Sequence, residues 1–433
     1  MNLSVLTLFP DLYKSFFSTS IIGRAVERGD LKVEIRDFCD IVDPKKRIDA
    51  PPYGPGAGML IRPNVVSDLI LEQENKLGSS FRIFFSPHGK KIDQEVLKSI
   101  ATKIIEKKHL ILVAPRYEGV DVRAEEHYAD EILSVGDFVL MGGDLPALTF
   151  LEAFLRYVPG VVGRQESVEN DSFSGPFVDY PHYTQPLNFE DSVVPDVLRS
   201  GNHQEIAKWR LDQSIKRTLA NHFDWLRGSK LDNKNLKLVN KQIPNHYAAL
   251  IHHDVKLPNG TYGSSSVTSI DVHDIARSAT TYGLAGYFVT TPLVDQQEMV
   301  KVLLDFWHSD VGIDYNPHRH KALLNVEVAP YLNDVVQKIF EKEGIEPIII
   351  ATSAQCELES NFITYHDQGK IWTQGRPVLL IFGTAGGLSK DILRQCDYLL
   401  VPVTGMTEFN HLSVRSAAAI IFDRWLGLNP RTI

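Results

Sequence analysis

The stretch Ile132-Leu-Ser-Val-Gly-Asp-Phe-Val-Leu-Met-Gly-Gly-Asp-Leu-Pro146 decides the fold class of this chain, because an apolar run ends there in a glycine-rich loop. Two more apolar runs end in the same way, Arg82-Ile-Phe-Phe-Ser-Pro-His-Gly89 and Leu110-Ile-Leu-Val-Ala-Pro-Arg-Tyr-Glu-Gly119. Short runs of Val, Ile, Leu and Phe that stop at Pro or Gly are typical of buried parallel strands. Ligands of open α/β sheets bind beyond the carboxyl ends of such strands. The three strand ends are therefore predicted to wall one ligand pocket.

Length and composition limit the class of protein. A chain of 433 residues predicts two or more domains. Its cysteines, Cys39, Cys356 and Cys396, lack CxxC spacing, which indicates neither a disulfide framework nor a zinc site. Residues 1–10 lack the features of a signal peptide, and no apolar stretch is long enough to span a bilayer, so we expect a soluble, cytoplasmic protein. The net charge of −9 leaves room only for local nucleic-acid-binding patches.

The chain is predicted to have four segments. Strand-like runs alternate with helical patterns over residues 1–160, which predicts an α/β domain with a parallel sheet. Residues 161–185, rich in Gly, Ser, Asp and Pro, are interpreted as an interdomain linker that orders on ligand binding. Residues 186–235 return to helical spacing and predict a small helical domain, whose basic side chains either are solvated or contact RNA. Residues 241–433 repeat the alternation and predict a second α/β domain.

Six short strings occur in the order typical of one enzyme family. They are Phe85-Ser-Pro-His-Gly89, Arg116-Tyr-Glu-Gly-Val-Asp121, Gly136-Asp-Phe-Val-Leu-Met-Gly-Gly-Asp-Leu-Pro146, Asp171-Ser-Phe173, Pro181-His-Tyr-Thr184 and Ser200-Gly-Asn-His203. Over residues 1–220 the chain closely resembles the bacterial tRNA (guanine-N1)-methyltransferases. The resemblance implies a SPOUT fold, in which an α/β sheet threads a deep trefoil knot. It also implies S-adenosylmethionine as cofactor, tRNA as substrate and a homodimer with shared active sites.

The strand-end loops suit a cofactor cradle. Their glycines let the backbone approach a ligand closely, and the chain has no GxGxxG dinucleotide fingerprint. At two positions the chain departs from the family pattern: Pro115 replaces a common Gly and so lacks an N–H, and Phe84 replaces a common Tyr and so lacks a hydroxyl. We expect altered cofactor contacts there and retained activity. The resemblance places the cofactor-binding positions at Phe84, Ser86, Pro87, Gly89, Pro115, Tyr117, Glu118, Gly119, Val135, Gly136, Asp137, Phe138, Val139, Leu140, Gly142, Gly143 and Pro146.

Methylation of guanine N1 requires a base, because that nitrogen carries a proton in the neutral ring. As the proton leaves, negative charge builds on O6, where a guanidinium would stabilise the transition state. The resemblance places the base on Asp171 and the stabilising cation on Arg156. A single loop Asp is more often a turn or cap residue, and a single Arg more often a surface charge. Only the register with the other strings supports the catalytic interpretation.

Further residues are candidates for contact with tRNA or metal. The family's activity is linked to Mg²⁺, so Glu118 either binds that ion or orients the methionyl moiety. Because a single carboxylate is a poor metal site, no set of metal ligands is assigned. Pro52-Tyr-Gly-Pro-Gly-Ala-Gly-Met59 resembles the family's glycine-rich loop, which would admit a flipped base. His182 and His203 could instead be packed or capping residues. The candidates for tRNA contact, mainly to phosphates, are Arg24, Arg164, His182, Ser200, Asn202, His203, Lys208 and Arg210, with the run Lys45-Lys-Arg47.

The second half carries looser strings. They are Asp271-Val-His-Asp-Ile-Ala-Arg-Ser-Ala-Thr-Thr-Tyr-Gly283, Ile381-Phe-Gly-Thr-Ala-Gly-Gly-Leu388 and Phe409-Asn-His-Leu-Ser-Val-Arg-Ser-Ala-Ala-Ala-Ile420. They resemble the 2′-O-ribose branch of SPOUT methyltransferases, which would make Arg277 face RNA, residues 383–388 bind cofactor, and Asn410 and Ser413 begin the last helix. The same strings also fit a simple turn and helix cap. We expect an accessory RNA-binding or dimer-bracing half; the alternatives are a second methyltransferase, or a whole chain that regulates RNA without turnover.

Overall fold

The computed structural model describes residues 1–54, 56–162, 171–354 and 361–430. The contacts divide the chain into two compact units, Met1–Gly175 (unit 1) and Pro176–Ile433 (unit 2). This boundary falls inside the segment predicted to be a linker. Residues 186–235 belong to the same unit as the second α/β segment, and whether the four predicted segments fold separately stays a prediction.

Unit 1 is built on a parallel sheet, as predicted from the alternation of strands and helices. Its strands are β1 (Asn2–Thr7), β2 (Lys32–Asp37), β3 (Asp49–Ala50), β4 (Leu60–Ile61), β5 (Phe81–Lys91), β6 (His109–Val113) and β7 (Glu131–Ser134). Five of them form the sheet in the order β2-β1-β6-β5-β7, all parallel. The short β3 and β4 form a separate antiparallel pair. All three predicted strands, β5, β6 and β7, are therefore adjacent at one side of the sheet.

Helices cover both faces of this sheet. They are α1 (Asp11–Ser18), α2 (Ser20–Glu27), α3 (Pro63–Leu77), α4 (Gln94–Lys107), α5 (Val122–Tyr128) and α6 (Asp144–Phe154), with 3-10 turns at Phe38–Ile41 and Leu155–Tyr157. Side chains alternate along β6, so Leu112 packs on one face with Ile104 and Phe150, while Ile111 packs on the other with Val66. Every residue of β6 is buried, which explains its continuous apolar sequence.

Unit 2 contains a larger parallel sheet. Its strands are β8 (Asn188–Phe189), β9 (Ser192–Val193), β10 (His246–Ile251), β11 (Val255–Lys256), β12 (Tyr262–Gly263), β13 (Gly286–Thr290), β14 (Val326–Ala329), β15 (Ile348–Thr352), β16 (Phe362–Ile363), β17 (Val378–Gly383) and β18 (Tyr398–Leu400). Seven form the sheet in the order β14-β13-β10-β17-β15-β18-β16. Apolar runs in the sequence predict five of these strands, at 247–252, 286–290, 347–352, 377–382 and 398–402, and the structure confirms them as β10, β13, β15, β17 and β18. The prediction missed β14, because Glu327, which pairs with Lys338 and Lys342, interrupts its apolar pattern.

The helices of unit 2 pack on both faces of this sheet. They are α7 (His203–Asn221), α8 (Phe223–Arg227), α9 (Asn233–Asn240), α10 (Ser269–Thr281), α11 (Val294–His308), α12 (Asp310–Tyr315), α13 (Pro317–Leu323), α14 (Leu332–Glu343), α15 (Gln368–Trp372), α16 (Lys390–Leu393) and α17 (Val414–Leu426), with a 3-10 turn at Asp196–Arg199. Phe223 contacts Trp372 of α15, the two ring centroids being 4.7 Å apart, and both residues belong to the core on one face of the second sheet. No helix in the described ranges is both long and apolar enough to cross a membrane.

Candidate active site

The loop after Phe85 departs from regular strand geometry at the carboxyl edge of the unit 1 sheet. Both Phe85 and Lys90 pair with Leu133, so the residues between them bulge out of the sheet. A Cβ atom on Gly89 would lie 2.7 Å from the backbone of Ile132 and Leu133. Glycine is therefore required where this bulge crosses β7. Phe84 itself is fully buried in the core, so its side chain is part of the packing, and any ligand contact from this residue would use its backbone.

The loops that follow β6 and β7 pack directly on each other. The Gly143 N–H donates a 2.7 Å hydrogen bond to the Pro115 carbonyl. A Cβ on Gly143 would lie 2.4 Å from the Pro115 Cδ, and one on Gly142 would lie 2.4 Å from the Arg116 Cδ. The close approach needs both glycines. The Pro115 carbonyl is thus bonded within the protein, and its contact with the cofactor stays a prediction.

A buried carboxylate holds these loops in place. Asp144, the first residue of α6, is 1% exposed and accepts hydrogen bonds from the Thr7 hydroxyl at 2.5 Å and the Tyr13 hydroxyl at 3.1 Å. The Arg116 Nε also donates to it, at 2.7 Å. Burial, together with the Asp144 charge, raises the pKa of Tyr13 far above its ordinary value. The Arg116 guanidinium lies 4.4 Å from the centroid of the Phe9 ring. Asp144 thus ties the end of β1 to the loops that follow β6 and β7.

The glycine-rich loop that joins β3 and β4 lies beside Glu118. The Glu118 N–H donates to the Met59 carbonyl at 3.0 Å, and the Ile61 N–H donates to the Gly119 carbonyl at 3.0 Å. A Cβ on Gly58 would lie 2.3 Å from the Glu118 Cγ. Pro55 lies outside the described residues. Across the described ranges, no group of three or more His, Cys, Asp and Glu side chains is arranged to hold a metal ion, so the residues present do not form an Mg²⁺ site.

The remaining positions predicted to bind the cofactor carry both polar and apolar side chains. The Ser86 hydroxyl lies 2.6 Å from His88 Nδ1, and His88 Nε2 lies 3.3 Å from the Glu125 carboxylate, whose pKa is raised by burial. Asp137 pairs with Lys91. Several apolar residues of the third loop and the start of α6 are exposed, which leaves an apolar edge on this unit: Phe138, Val139, Leu140, Met141 and Leu145.

The two predicted catalytic residues form an ion pair. Arg156 lies in the 3-10 turn that follows α6, and its guanidinium contacts the Asp171 carboxylate of the same chain. The side chains are 44% and 39% exposed, so both are accessible to a ligand. The Ser174 N–H donates to the Asp171 carbonyl at 3.1 Å, which forms a turn after the carboxylate. Helix α6 therefore begins at the glycine-rich loop that follows β7 and ends just before the turn that carries Arg156.

Unit 2 contains a cavity at the carboxyl edge of its own sheet. Its volume is about 940 Å³, and its wall is formed by the loop after β17 (residues 383–387), the residues after β15, and the start of α17. Asn410 and Ser413 line it, and the Ser413 hydroxyl accepts from the Ser416 N–H as the cap that begins α17, as expected for the start of the last helix. Arg277 does not line this cavity. Instead, Arg415 does, and it donates to the buried Asp271 carboxylate at 3.0 Å.

Comparisons with known proteins identify the family. The family model described as tRNA (Guanine-1)-methyltransferase TrmD matches residues 1–228. A tRNA (guanine-N(1)-)-methyltransferase of Oleidesulfovibrio alaskensis is 37% identical over 435 residues, which cover 99% of this chain and 99% of the relative. This chain belongs to the tRNA (guanine-N1)-methyltransferase family. A relative from Pseudoalteromonas translucida with the same name is 44% identical over 242 residues, which cover 55% of this chain and 90% of that protein.

The second half also has a counterpart. A family described as SAM-dependent RNA methyltransferase matches residues 245–427, which confirms the resemblance to RNA methyltransferases. The relative from Nitratidesulfovibrio vulgaris, also named tRNA (guanine-N(1)-)-methyltransferase, is 37% identical over 435 residues and 99% of both chains. Some members of this methyltransferase family therefore share the whole two-part architecture.

In this methyltransferase, most predicted tRNA contacts lie on the surface of unit 2. Arg210 stacks over the Tyr180 ring at 4.7 Å, and the His182 ring centroid lies 4.7 Å from that of the same tyrosine. Asn202 caps α7 by accepting from the Gln204 and Glu205 N–H groups. Ser200, His203 and Lys208 are exposed nearby in sequence. Arg24 is exposed in unit 1, and Arg164 lies outside the described residues.

The sequence did not reveal the buried hydrogen-bonded residues that hold the loops of the two sites in place. The partners Thr7 and Asp144 are separated by 137 residues, and no local pattern pairs them. The string that contains Asp144 was selected for its glycines. In unit 2, His252, Ser265 and Thr384 meet at the cavity wall but come from three separate loops. Only the position of His252 at the end of an apolar strand could have indicated it.

Proposed function

We propose that unit 1 transfers the methyl group of S-adenosylmethionine to N1 of the guanosine on the 3′ side of the tRNA anticodon. The observation that carries this proposal is the accessible Arg156–Asp171 pair, placed at the end of the helix that begins at the glycine-lined loops. A base and a cation in contact are what the N1 reaction needs. The family membership supports the same chemistry.

Asp171 and Arg156 have different roles in the proposed reaction. The Asp171 carboxylate accepts the N1 proton, so that the N1 lone pair becomes available to attack. The Arg156 guanidinium carries five N–H donors and can hold Asp171 with one edge while it donates to guanine O6 with another. Negative charge grows on O6 as the proton leaves, so this contact is stronger in the transition state than in the ground state. S-adenosylmethionine, when bound, supplies the electrophilic methyl group.

The three strand-end loops hold that cofactor in our proposal. The close contacts at Gly89, Gly142 and Gly143 leave backbone atoms, not side chains, along the cradle, which suits a ligand recognised by N–H and C=O groups. Pro87, Tyr117, Gly119, Val135, Gly136 and Pro146 complete the proposed contacts. The described residues form no Mg²⁺ site, and no step of this mechanism uses the ion.

We further propose a homodimer with shared sites, a trefoil-knotted unit 1 and action in the cytoplasm, where tRNA is modified. The exposed apolar edge at Val139, Met141 and Leu145 supports the dimer, because side chains 84%, 91% and 58% exposed gain stability when a partner covers them. The exposed aromatic and basic side chains around Tyr180, with His182 and Arg210, suit contacts to tRNA phosphates and bases.

Product analysis tests the main proposal. Unmodified tRNA transcripts with G or A on the 3′ side of the anticodon are incubated with labelled S-adenosylmethionine, digested and analysed as nucleosides. We expect 1-methylguanosine from the G transcript only. Methylation of the A transcript at the same rate, or a different methylated base, would refute the assignment of N1 of that guanosine.

A second function is favoured for unit 2 by its cavity. The cavity of about 940 Å³ is large enough for a nucleoside-sized cofactor, and it lies where ligands of parallel sheets bind. We propose that unit 2 is a second S-adenosylmethionine-dependent methyltransferase that acts on an RNA ribose hydroxyl, in preference to an accessory role. Equilibrium dialysis with labelled cofactor should give two binding sites per chain. One site per chain would favour the accessory role.

A further inference from the structure

The cavity of unit 2 contains a buried acceptor that lacks a partner. His252 follows β10, an interior strand of the sheet, lines the cavity and is 1% exposed. Its Nε2 atom is buried and has no hydrogen-bond partner among the described residues. Buried polar atoms are nearly always paired, so an orphaned one that borders a cavity indicates a missing ligand atom.

A chain of hydrogen bonds determines which nitrogen of His252 carries the proton. The Thr384 hydroxyl donates to the Ile251 carbonyl at 3.0 Å, which uses its only hydrogen. The Ser265 hydroxyl, 2.6 Å away, must therefore donate to Thr384. Ser265 can then only accept from His252 Nδ1, at 3.0 Å. Nδ1 carries the hydrogen, and Nε2 presents a bare lone pair.

The surroundings keep this ring neutral. Burial lowers the pKa of His252 to about 4, despite the opposing effect of the nearby Asp271 carboxylate. Asp271 is itself paired, because it accepts from the Thr268 hydroxyl at 2.5 Å and from Arg415 at 3.0 Å. Because the His252 ring is neutral and the Asp271 carboxylate is already paired, the ligand group that bonds to Nε2 is expected to be a neutral hydrogen-bond donor rather than a cation. Its weak basicity suits holding a hydrogen bond more than removing a proton.

We infer that His252 Nε2 accepts a hydrogen bond from a ribose hydroxyl of the molecule that fills this cavity. This inference rests on the second function proposed for unit 2. A hydroxyl donates one hydrogen bond and accepts others, and the wall provides both the bare Nε2 and the N–H donors of Arg415. The hydroxyl belongs either to the adenosine of the cofactor or to the RNA. His252 is thus a positioning residue that selects a ribonucleoside over its deoxy analogue.

Matched variants test this role. His252→Gln places an amide oxygen near the position of Nε2 and keeps an acceptor, whereas His252→Met has similar length without one. Ser265→Ala removes the acceptor of Nδ1–H and frees the other tautomer. Formation of 1-methylguanosine shows that unit 1 is intact, and tryptophan fluorescence checks that unit 2 is folded, since all five tryptophans lie in that unit. Binding of S-adenosylhomocysteine and its 2′-deoxy and 3′-deoxy analogues is measured by calorimetry on the full chain, and ribose-methylated nucleosides are quantified at saturating cofactor.

The outcomes separate the hypotheses. If the cofactor supplies the hydroxyl, His252→Met binds S-adenosylhomocysteine roughly 10-fold more weakly at the second site and no longer discriminates one deoxy analogue, while His252→Gln stays near wild type. If the RNA supplies it, cofactor affinity is unchanged and ribose methylation falls about 10-fold in His252→Met and Ser265→Ala only. If His252→Met behaves like the wild type in both assays, the inference about His252 is overturned and the second function of unit 2 is not. One cofactor site and no ribose methylation in the wild type overturn it together with the second function.

Discussion

Substitution of Asp144 provides a demanding test of how unit 1 is held together. In Asp144→Ala, the Arg116 guanidinium loses its buried counterion and the Thr7 and Tyr13 hydroxyls lose their acceptor. Breaking a buried ion pair on one side costs about 3–5 kcal/mol, and Arg116 is 23% exposed, so we expect the lower end, about 3 kcal/mol. In a unit of this size that lowers the melting temperature by roughly 6–12 °C. Asp144→Asn keeps one acceptor and should cost about half as much.

Calorimetry can assign this loss to unit 1. The five tryptophans, Trp209, Trp225, Trp307, Trp372 and Trp425, all lie in unit 2, so tryptophan fluorescence follows that unit alone. We expect Asp144→Ala to lower the melting temperature of the unit 1 transition, which calorimetry detects and tryptophan fluorescence does not. We also expect it to raise the KM for S-adenosylmethionine more than it lowers kcat.

The control and the refuting result for this prediction are specific. Asp11→Ala removes a carboxylate whose side chain is 88% exposed and should leave both transitions unchanged. The double variant Arg116→Ala/Asp144→Ala should be less destabilised than the sum of the single variants, because the two side chains share one interaction. Additive effects, or an Asp144→Ala transition within about 1 °C of wild type, would refute the network as described.

Three further predictions concern the two loops and the pH dependence of unit 2. Gly143→Ala places a Cβ 2.4 Å from the Pro115 Cδ, so the KM for S-adenosylmethionine should rise at least 10-fold in steady-state 1-methylguanosine assays; an unchanged KM would contradict the close packing. Gly383→Ala meets the Leu388 N at 2.7 Å, and equilibrium dialysis should find one cofactor site per chain instead of two. Burial lowers the pKa of His246 and His252 to about 4, below their unfolded value of about 6.5. The unfolded state therefore binds more protons between these values, and the free energy of unfolding of unit 2 should fall by up to about 3 kcal/mol per histidine as the pH falls from 6.5 to 4. Urea titrations followed by tryptophan fluorescence measure this free energy at each pH. His246→Phe should reduce its dependence on pH.

The sequence predicted those parts of the fold that depend on local patterns. Continuous apolar runs such as β6 and β10 were found because burial on both faces leaves no polar position. The short β14 was missed because Glu327 bonds to lysines of the neighbouring helix, an arrangement that only the folded chain reveals. The assignment of the helical segment to unit 2 escaped prediction, since Ile215 and Leu219 show helical spacing without showing which sheet they contact.

The candidate site was predictable to the extent that it lies in sequence strings. Arg156 and Asp171 were assigned from their order among the strings, and the structure shows their side chains in contact within one chain, while their catalytic roles stay a prediction. In unit 2, Arg277 is exposed on α10 and does not line the cavity, so its RNA-facing role stays a prediction. Arg415, in the last of the three strings, lines the cavity, and no pattern in the sequence singled it out.

The most direct test of the central claim is the rate of 1-methylguanosine formation on unmodified tRNA by the wild type, Asp171→Asn and the exposed-site control Asp11→Asn. Nucleoside analysis gives the product, and circular dichroism checks that each variant is folded. The account predicts that the wild type and the control form 1-methylguanosine at similar rates and that Asp171→Asn is slower by roughly 10²–10⁴-fold, the usual contribution of a general base. A wild type that forms no 1-methylguanosine, or an Asp171→Asn variant within a few fold of it, would contradict the account.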